Sequence, residues 1–257
     1  MTDPEPFQKE ENMAMPVVIL CGGKGTRSYP YTDQFPKPLM PIAGRPILVY
    51  LMQSYAEQGF TEFVLAAGHK KEVLMDYFDG RFPEWTVRIV DTGDNSETGE
   101  RIWKCAPYLG DRFMATYGDG LANVCFADLV QSHIASGALA TLTAVSLRSQ
   151  YGLVRIEDDG RVSRFDEKPM IKDHWINGGF FVFERLAFEH WHGRSLESEV
   201  LTGLAKLGQL SAYCHNGFWK SMDTSKDQQE LEAILSKGTA PWTILSTTSA
   251  AASVHHD

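Results

Sequence analysis

The chain has 257 residues, of which 43% are hydrophobic and 22% are charged. These proportions are ordinary for globular proteins and exclude a disordered, collagen-like or coiled-coil chain. No apolar stretch approaches the length of about 18 residues that a membrane span needs, and we expect no secretory signal, because the first residues are acidic and polar. The net charge of −9 argues against nucleic acid or an anionic membrane as a partner. A small anionic ligand stays possible, since it needs only a few focused cations and backbone N–H groups.

The cysteine pattern predicts a reduced, cytoplasmic protein. Cys21, Cys105, Cys125 and Cys214 are far apart in the sequence, and no two of them form a CxxC pair. Four free thiols are typical of proteins from a reducing compartment.

The composition of the two ends differs from that of the middle. Residues 1–14 and 243–257 have no apolar period and are predicted to be loose tails. Residues 15–242 contain no repeat and no low-complexity linker, so we expect them to form a single domain.

The first part of this domain alternates between strand and helix patterns. Short apolar runs predict strands, and apolar residues at helical spacing predict helices. In chain order the prediction is a strand over 16–21, a helix over 45–58, a strand over 63–67, a helix over 70–78, strands over 86–90 and 112–117, a helix around 126–134 and a strand over 140–145. Such alternation with short loops indicates a parallel, three-layer α/β sheet.

The last part of the domain has strands in quick succession. Strands are predicted over 152–156, 162–165 and 175–183, with Asp158-Asp159-Gly160 as a hairpin turn, followed by a helix over 196–207, a strand over 210–215 and a helix over 228–236. The expected fold is therefore α/β with a Rossmann-like, three-layer mixed sheet. Ligands bind such sheets at the carboxyl ends of the strands.

A glycine-rich loop follows the first strand. The run Gly22-Gly23-Lys24-Gly25-Thr26-Arg27 lets the backbone approach a ligand closely, and Lys37 stands between two prolines that stiffen its loop. A Walker A loop is excluded because Lys24 precedes Gly25, and a dinucleotide fingerprint would need a glycine at Ser28. The remaining alternatives are a polyphosphate cradle, which the cations favour, and an ordinary connecting loop.

Two acidic residues follow predicted strands. Asp119 lies between glycines, and Asp223 precedes a helix. Taken singly, Asp119 could be a turn residue and Asp223 a helix cap. Together with a phosphate cradle they predict a Mg²⁺ site, because one or two carboxylates plus substrate phosphates usually hold this ion.

The order of these motifs resembles that of the sugar-1-phosphate nucleotidyltransferase family. Matching segments are 20–27, 36–38, 117–120, 167–169, 176–179 and 222–224, and the likeness extends over nearly all of residues 16–242. The segments 90–99, 176–182, 217–219 and 240–242 are most similar to the glucose-1-phosphate cytidylyltransferase subgroup. The resemblance implies a glycosyltransferase-A-like form of the predicted fold.

The resemblance also implies a role for individual residues. The implied catalytic residues are Arg27 and Lys37. The implied nucleotide-binding residues are Leu20, Gly22, Gly23, Gly25, Thr26, Ser96, Arg101 and Gly118. The implied sugar-phosphate-binding residues are Tyr151, Gly152, Arg155, Glu167, Lys168, Asn177, Gly178 and Trp219. The implied Mg²⁺ ligands are Asp119 and Asp223.

The implied reaction joins CTP and a sugar 1-phosphate, with glucose 1-phosphate as the default, into a CDP-sugar and pyrophosphate. Mg²⁺ would be the cofactor, and the protein would be a homo-oligomer without nucleic-acid or membrane partners. One alternative is the same chemistry on a heptose, an acidic sugar or a non-sugar phosphate. Another is a nucleotide-binding relative without turnover, against which Lys37, Asp119 and Asp223 argue.

Two features of this sequence differ from the pattern of the cytidylyltransferase subgroup. The connection between Phe78 and Asp91 is shorter than in the cytidylyltransferases, which carry residues for subunit packing there. Arg155 stands where relatives carry an acid that faces the sugar. If Arg155 faces the pocket, it would favour a substrate with an extra anionic or hydrogen-bond-accepting group. The alternatives are that it points to solvent or pairs with an acid such as Glu167.

Overall fold

A computed structural model of the protein describes residues 15–25, 31–149, 151–238 and 240–243. The described residues include neither Thr26 and Arg27 nor the predicted tails, apart from residue 243. The proposed roles of Thr26 and Arg27 and the limits of the domain therefore remain predictions.

The described chain folds into thirteen strands and six α-helices. The strands are β1 (Val17–Leu20), β2 (Pro41–Ile42), β3 (Arg45–Pro46), β4 (Glu62–Ala67), β5 (Thr86–Asp91), β6 (Arg112–Tyr117), β7 (Gly120–Ala122), β8 (Ala140–Arg148), β9 (Leu153–Ile156), β10 (Val162–Asp166), β11 (Met170–Glu184), β12 (Leu210–His215) and β13 (Trp219–Ser221). The helices are α1 (Ile47–Ala56), α2 (Lys71–Phe78), α3 (Thr98–Cys105), α4 (Phe126–Ser136), α5 (Thr202–Lys206), which continues a π-helical segment over Leu196–Leu201, and α6 (Ser225–Ser236).

Seven strands form the central sheet in the order β12-β8-β11-β6-β1-β4-β5. Strand β1 pairs in parallel with both β4 and β6, whereas β11 runs antiparallel to β6 and β8. The carboxyl ends of β1, β4 and β6 therefore meet at one edge of the sheet.

Successive side chains of each strand pack into two separate cores. On one face, Ile19 and Leu65 pack with residues of α1, α2, α4 and α6. On the other face, Val18 and Val64 pack with α3, the π-helical segment and α5. Because side chains alternate along a strand, the apolar runs of β1 and β4 serve both faces. The predicted mixed, three-layer α/β fold is confirmed.

Helix α3 was absent from the predicted elements. Its buried apolar side chains are few, and Gly99 stands in its first turn. A capping box between Glu97 and Glu100 starts the helix. A Cβ atom at Gly99 would lie 2.8 Å from the carbonyl oxygen of Arg194, so glycine is required by a close contact that the sequence does not reveal.

Strands β9 and β10 form a separate hairpin outside the central sheet. The turn occurs at the predicted Asp158-Asp159-Gly160, where Gly160 has a φ of +82°. Both strands are almost wholly exposed, so the hairpin projects from the domain.

Candidate active site

A cavity of about 540 Å³ opens at the edge where β1 and β6 end. Strand β11 passes beside it, because Phe180 pairs with Thr116 near the end of β6. The residues that line the cavity include thirteen of the predicted site residues: Leu20, Gly22, Gly23, Gly25, Lys37, Ser96, Arg101, Gly118, Asp119, Asn177, Gly178, Trp219 and Asp223. The fold thus brings together the glycine-rich loop, the Lys37 loop and both acidic residues.

Arg101 holds the glycine-rich loop from behind. Its guanidinium is buried, and its hydrogen bonds go to the carbonyl oxygens of Gly22 (2.9 Å), Ala67 (3.3 Å), Gly93 (2.9 Å) and Asp94 (3.3 Å) and to the hydroxyl of Thr92 (2.6 Å). Burial lowers the pKa of this guanidinium, although nearby Asp94 opposes the shift. Arg101 therefore joins the ends of three chain segments through their carbonyl groups.

The close fit of Arg101 explains the glycine at position 22. A Cβ atom there would lie 2.0 Å from Nη1 of Arg101 and 2.9 Å from the backbone nitrogen of Gly68. Any larger residue would displace the guanidinium, so Gly22 and Arg101 form one unit at the cavity wall.

Lys37 lies between the two predicted metal ligands. Its Nζ atom is 2.7 Å from Oδ2 of Asp119 and 2.9 Å from Oδ1 of Asp223. Burial alone would lower the pKa of Lys37, but the charge of Asp119 and hydrogen bonds to both carboxylates raise it above its ordinary value. The ammonium group therefore stays charged.

The donor set around Lys37 fits a divalent cation that arrives with a substrate. Asp119 and Asp223 contact the same ammonium nitrogen and so lie within reach of a single ion. Ser221 donates a hydrogen bond to the other oxygen of Asp223 and fixes its orientation (3.0 Å). Within the part of the chain that the structure describes, no three His, Cys, Asp or Glu side chains cluster as a complete metal site. Two carboxylates would hold Mg²⁺ only with phosphate oxygens or water as further ligands.

Ser96 stands on the loop between β5 and α3. Its hydroxyl donates to the carbonyl oxygen of Thr92 (2.5 Å) and accepts from Lys104 (2.8 Å). Lys104 also donates to the carbonyl oxygen of Thr92 (2.8 Å). These contacts shape the loop beside the cavity.

Asn177, Gly178 and Trp219 form the opposite side of the cavity. The indole N–H of Trp219 donates to the carbonyl oxygen of Gly178 (2.7 Å), and Oδ1 of Asn177 accepts from the backbone N–H of Gly179 (2.8 Å). The amide nitrogen of Asn177 donates to the hydroxyl of Tyr117 (3.2 Å).

The cavity is also lined by three residues that were not predicted as site residues, namely Glu197, Tyr117 and Thr98. Glu197 belongs to the π-helical segment and accepts hydrogen bonds from Tyr117 and Thr98. Burial, followed by the bond to Glu197, raises the pKa of Tyr117, so this phenol stays protonated. No local motif surrounds Glu197, and the tertiary fold alone brings it to the site.

The other predicted sugar-phosphate residues lie on or beside the exposed hairpin and do not line the cavity. They are Tyr151, Gly152, Arg155, Glu167 and Lys168. A Cβ atom at Gly152 would lie 2.6 Å from the ring of Phe165 and 3.1 Å from Glu167, so Gly152 packs against these two residues of the hairpin. Lys168 has a left-handed φ of +47°, a strained conformation for a residue with a side chain.

Arg155 does not face the cavity. Its side chain is 77% exposed, and its Nε atom lies 3.7 Å from Oε1 of Glu157. Of the acids beside it, Arg155 thus approaches Glu157 and not Glu167, which was given as an example of a partner. The structure therefore agrees with the alternatives in which Arg155 points to solvent or pairs with an acid, and not with a pocket-facing Arg155 that selects an anionic sugar.

None of the helices in the described part of the chain is long and apolar enough to cross a membrane. The four cysteines are all free thiols, as the sequence predicted.

Comparison with known proteins identifies relatives over almost the full chain. The sequence pattern of the family "Nucleotidyl transferase" matches residues 16–221. The chain is 38% identical to the "Probable glucose-1-phosphate cytidylyltransferase" of Bacillus subtilis, over 90% of this chain and 100% of that protein. It is 37% identical to the "Glucose-1-phosphate cytidylyltransferase" of Salmonella typhi, over 89% of this chain and 98% of that protein.

Solved structures with the same fold are more distant in sequence. HddC from Yersinia pseudotuberculosis, complexed with GMP-PN, superimposes with a TM-score of 0.67 at 22% identity, over 86% of this chain and 99% of that one. A putative glucose-1-phosphate thymidylyltransferase from Bacillus anthracis gives a TM-score of 0.66 at 20% identity, over 86% and 95% of the two chains. At this level of identity the likeness concerns the fold.

Proposed function

Because this chain belongs to the nucleotidyl transferase family, we propose that it is a sugar-phosphate cytidylyltransferase that joins CTP and a sugar 1-phosphate, releases pyrophosphate and requires Mg²⁺. Glucose 1-phosphate is the default sugar substrate, because the relatives that match nine-tenths of the chain are named for it. The observation that carries the proposal is the Lys37–Asp119–Asp223 cluster beside a glycine-rich loop in one cavity.

The proposed reaction is a direct displacement. A phosphate oxygen of the sugar 1-phosphate attacks the α-phosphorus of CTP, the new P–O bond forms, and the bond to the β-phosphate oxygen breaks, so that pyrophosphate leaves with the electron pair. No covalent enzyme intermediate is needed, since one cavity holds both reactants. Catalysis then comes from positioning and from neutralising charge.

The chain's own residues divide these tasks. The backbone of Gly22, Gly23 and Gly25 would bind the nucleotide phosphates, and Lys37 would balance the charge that develops on the leaving pyrophosphate. Arg27 is proposed to share this role on the strength of the family resemblance alone. Asp119 and Asp223 would hold Mg²⁺, which would supply further neutralisation of negative charge.

We also propose that the protein forms a homo-oligomer. The β9–β10 hairpin exposes Leu153, Val154, Ile156, Val162 and Phe165, each by 42% to 63%. Contiguous exposed apolar surface is typical of interaction sites. Charges of both signs surround these side chains, which suits a self-complementary contact between two copies of the chain. Light scattering of the purified protein, with Phe165→Glu as the disrupting variant and Lys237→Glu as the control, tests this contact.

The decisive experiment is pyrophosphate release from CTP, UTP, ATP and GTP against a panel of sugar 1-phosphates, including glucose 1-phosphate. We expect turnover with CTP to exceed that with UTP by at least about tenfold in kcat/KM, because a site that hydrogen-bonds the cytosine amine leaves polar groups unpaired when uracil binds. Equal kcat/KM for CTP and UTP would refute the cytidylyl assignment. Binding of nucleotide without any pyrophosphate release would favour the catalytically silent alternative.

A further inference from the structure

Four polar side chains form a continuous hydrogen-bonded row along one wall of the cavity. The amide of Asn177 donates to Tyr117, Tyr117 donates to Oε1 of Glu197, and Thr98 donates to Oε2 of Glu197 at 2.7 Å. The row starts on β11, crosses the end of β6 and the π-helical segment, and ends at α3. It joins the Asn177 side of the cavity to the start of α3, next to the loop that carries Ser96.

The carboxylate of Glu197 keeps capacity for another hydrogen bond. It accepts three from the described residues, namely those of Tyr117 and Thr98 and a longer one from Ser195 at 3.2 Å. An ionised carboxylate offers about four acceptor positions. Glu197 is exposed and lines the cavity, so a bound molecule can reach the remaining position.

No described basic side chain forms an ion pair with Glu197. Arg194, three residues away, pairs instead with Glu97 (3.6 Å) and Glu100 (3.0 Å). The negative charge of Glu197 would repel phosphate groups, which the glycine-rich loop and Lys37 attract. Among the groups that the two proposed substrates carry, only the uncharged hydrogen-bond donors therefore suit a position that faces Glu197.

We propose that Glu197 determines substrate specificity by accepting a hydrogen bond from a ligand hydroxyl, either of the nucleotide ribose or of the sugar phosphate. Tyr117 and Thr98 act as positioning residues, because their own hydrogen bonds aim the carboxylate. This inference rests on the proposed function, since both hydroxyl sources are parts of the two proposed substrates.

The test compares substrates that differ by one hydroxyl. The nucleotide set is CTP, 2′-deoxy-CTP and 3′-deoxy-CTP, and the sugar set is glucose 1-phosphate and its 2-, 3-, 4- and 6-deoxy forms. Each is measured with the native protein, with Glu197→Gln and with Glu199→Gln. Glu199 is the matched control, because it braces the same segment through the backbone N–H groups of Arg194 (2.6 Å) and Ser195 (2.8 Å) but does not line the cavity.

We expect the native protein to lose roughly 10- to 100-fold in kcat/KM for one deoxy substrate, the range of a hydrogen bond to a charged group. Glu197→Gln should reduce this ratio to a few-fold, and Glu199→Gln should leave it unchanged. The substrate set in which the ratio changes identifies the source of the hydroxyl.

Three results would overturn the inference. The native protein could treat every deoxy substrate like its parent, or Glu197→Gln could slow all substrates equally, as a merely structural role would. Glu197→Gln could also alter only the CTP to UTP ratio, which would assign the carboxylate to the base amine. Calorimetric titration of CTP, glucose 1-phosphate and the deoxy forms of both repeats the comparison without turnover. If the native protein binds CTP selectively but releases no pyrophosphate, the proposed function is refuted. The binding data then still show whether Glu197 distinguishes a hydroxyl from its deoxy form.

Discussion

The ammonium nitrogen of Lys37 lies 2.7 Å from Oδ2 of Asp119, so a positive charge of the protein already sits at a carboxylate proposed to bind metal. The same nitrogen is 2.9 Å from Asp223, and Lys37 is only 8% exposed. Two carboxylates and one ammonium leave a single net negative charge in this cluster. A free divalent cation therefore gains little there until a triphosphate adds negative charge.

The first prediction is that metal binding depends on the nucleotide unless Lys37 is removed. Without nucleotide, Lys37→Ala should bind Mn²⁺ at least roughly tenfold more tightly than the native protein, because it exposes both carboxylates. Electron paramagnetic resonance of free Mn²⁺ measures this affinity without turnover. Lys206→Ala is the control, since it removes one exposed lysine of α5 that does not line the cavity, and it should leave Mn²⁺ affinity at the native value. Equal Mn²⁺ affinity in Lys37→Ala and native protein would contradict the prediction.

Asp119→Asn and Asp223→Asn should each lower kcat by about 10²- to 10³-fold, the usual effect of removing a group that stabilises transition-state charge. The thermal midpoint should change little, because both carboxylates are partly exposed. Steady-state pyrophosphate release and calorimetry provide the two readouts. Asp76→Asn, an exposed change on α2, should leave kcat at the native value. Near-native turnover in both cavity variants would refute the proposal that Asp119 and Asp223 bind the metal ion.

Arg101→Met should destabilise the fold and weaken nucleotide binding together. The substitution removes the hydrogen bonds that Arg101 donates to the carbonyl oxygens of Gly22, Ala67 and Gly93. The loss of these buried bonds costs on the order of 2–4 kcal/mol in the free energy of unfolding. Urea unfolding and CTP calorimetry measure the two effects. Arg161→Met, on the exposed hairpin turn, should change either quantity very little. Unchanged stability in Arg101→Met would show that these carbonyl groups find other partners.

His133 should make stability fall in mild acid. The ring is buried, with Nδ1 at 2.9 Å from Thr141 and Nε2 at 3.1 Å from Glu184. Burial lowers the pKa of His133 in spite of Glu184, so the unfolded chain binds a proton more readily than the folded one. The contribution of His133 to the free energy of unfolding is therefore fully present above a pH of about 6.5. It decreases as the pH falls below that value.

Urea unfolding between pH 8 and pH 5 checks this dependence. His133→Gln should reduce the decline below pH 6.5, and His192→Gln, at an exposed position, should reproduce the native curve. A native curve that is level through this range, or one that His133→Gln leaves unchanged, would disprove the linkage.

The limits of sequence-based prediction are clearest at the cavity walls. Strands such as Arg112–Tyr117 and Leu210–His215 have the predicted bounds, because a short apolar run is a local property of the chain. Helix α3 was not predicted from the sequence. It starts with a capping box of two glutamates, and its Gly99 is required by a close contact with Arg194. The direction in which the Arg155 side chain points could not be predicted either. Strand periodicity does not show whether a hairpin packs against the domain or projects from it.

By itself, the sequence determined the mixed α/β fold, the glycine-rich loop, and the identity of Lys37, Asp119 and Asp223 as candidate site residues. Each of these depends on residue types within a few positions of one another. The tertiary structure alone decided that Lys37 bridges two carboxylates 82 and 186 residues away, and that Glu197 reaches Thr98 across 99 residues. Such contacts arise from the packing of the sheet and its helices. Interactions between residues so distant in the sequence leave no periodic pattern that could reveal them.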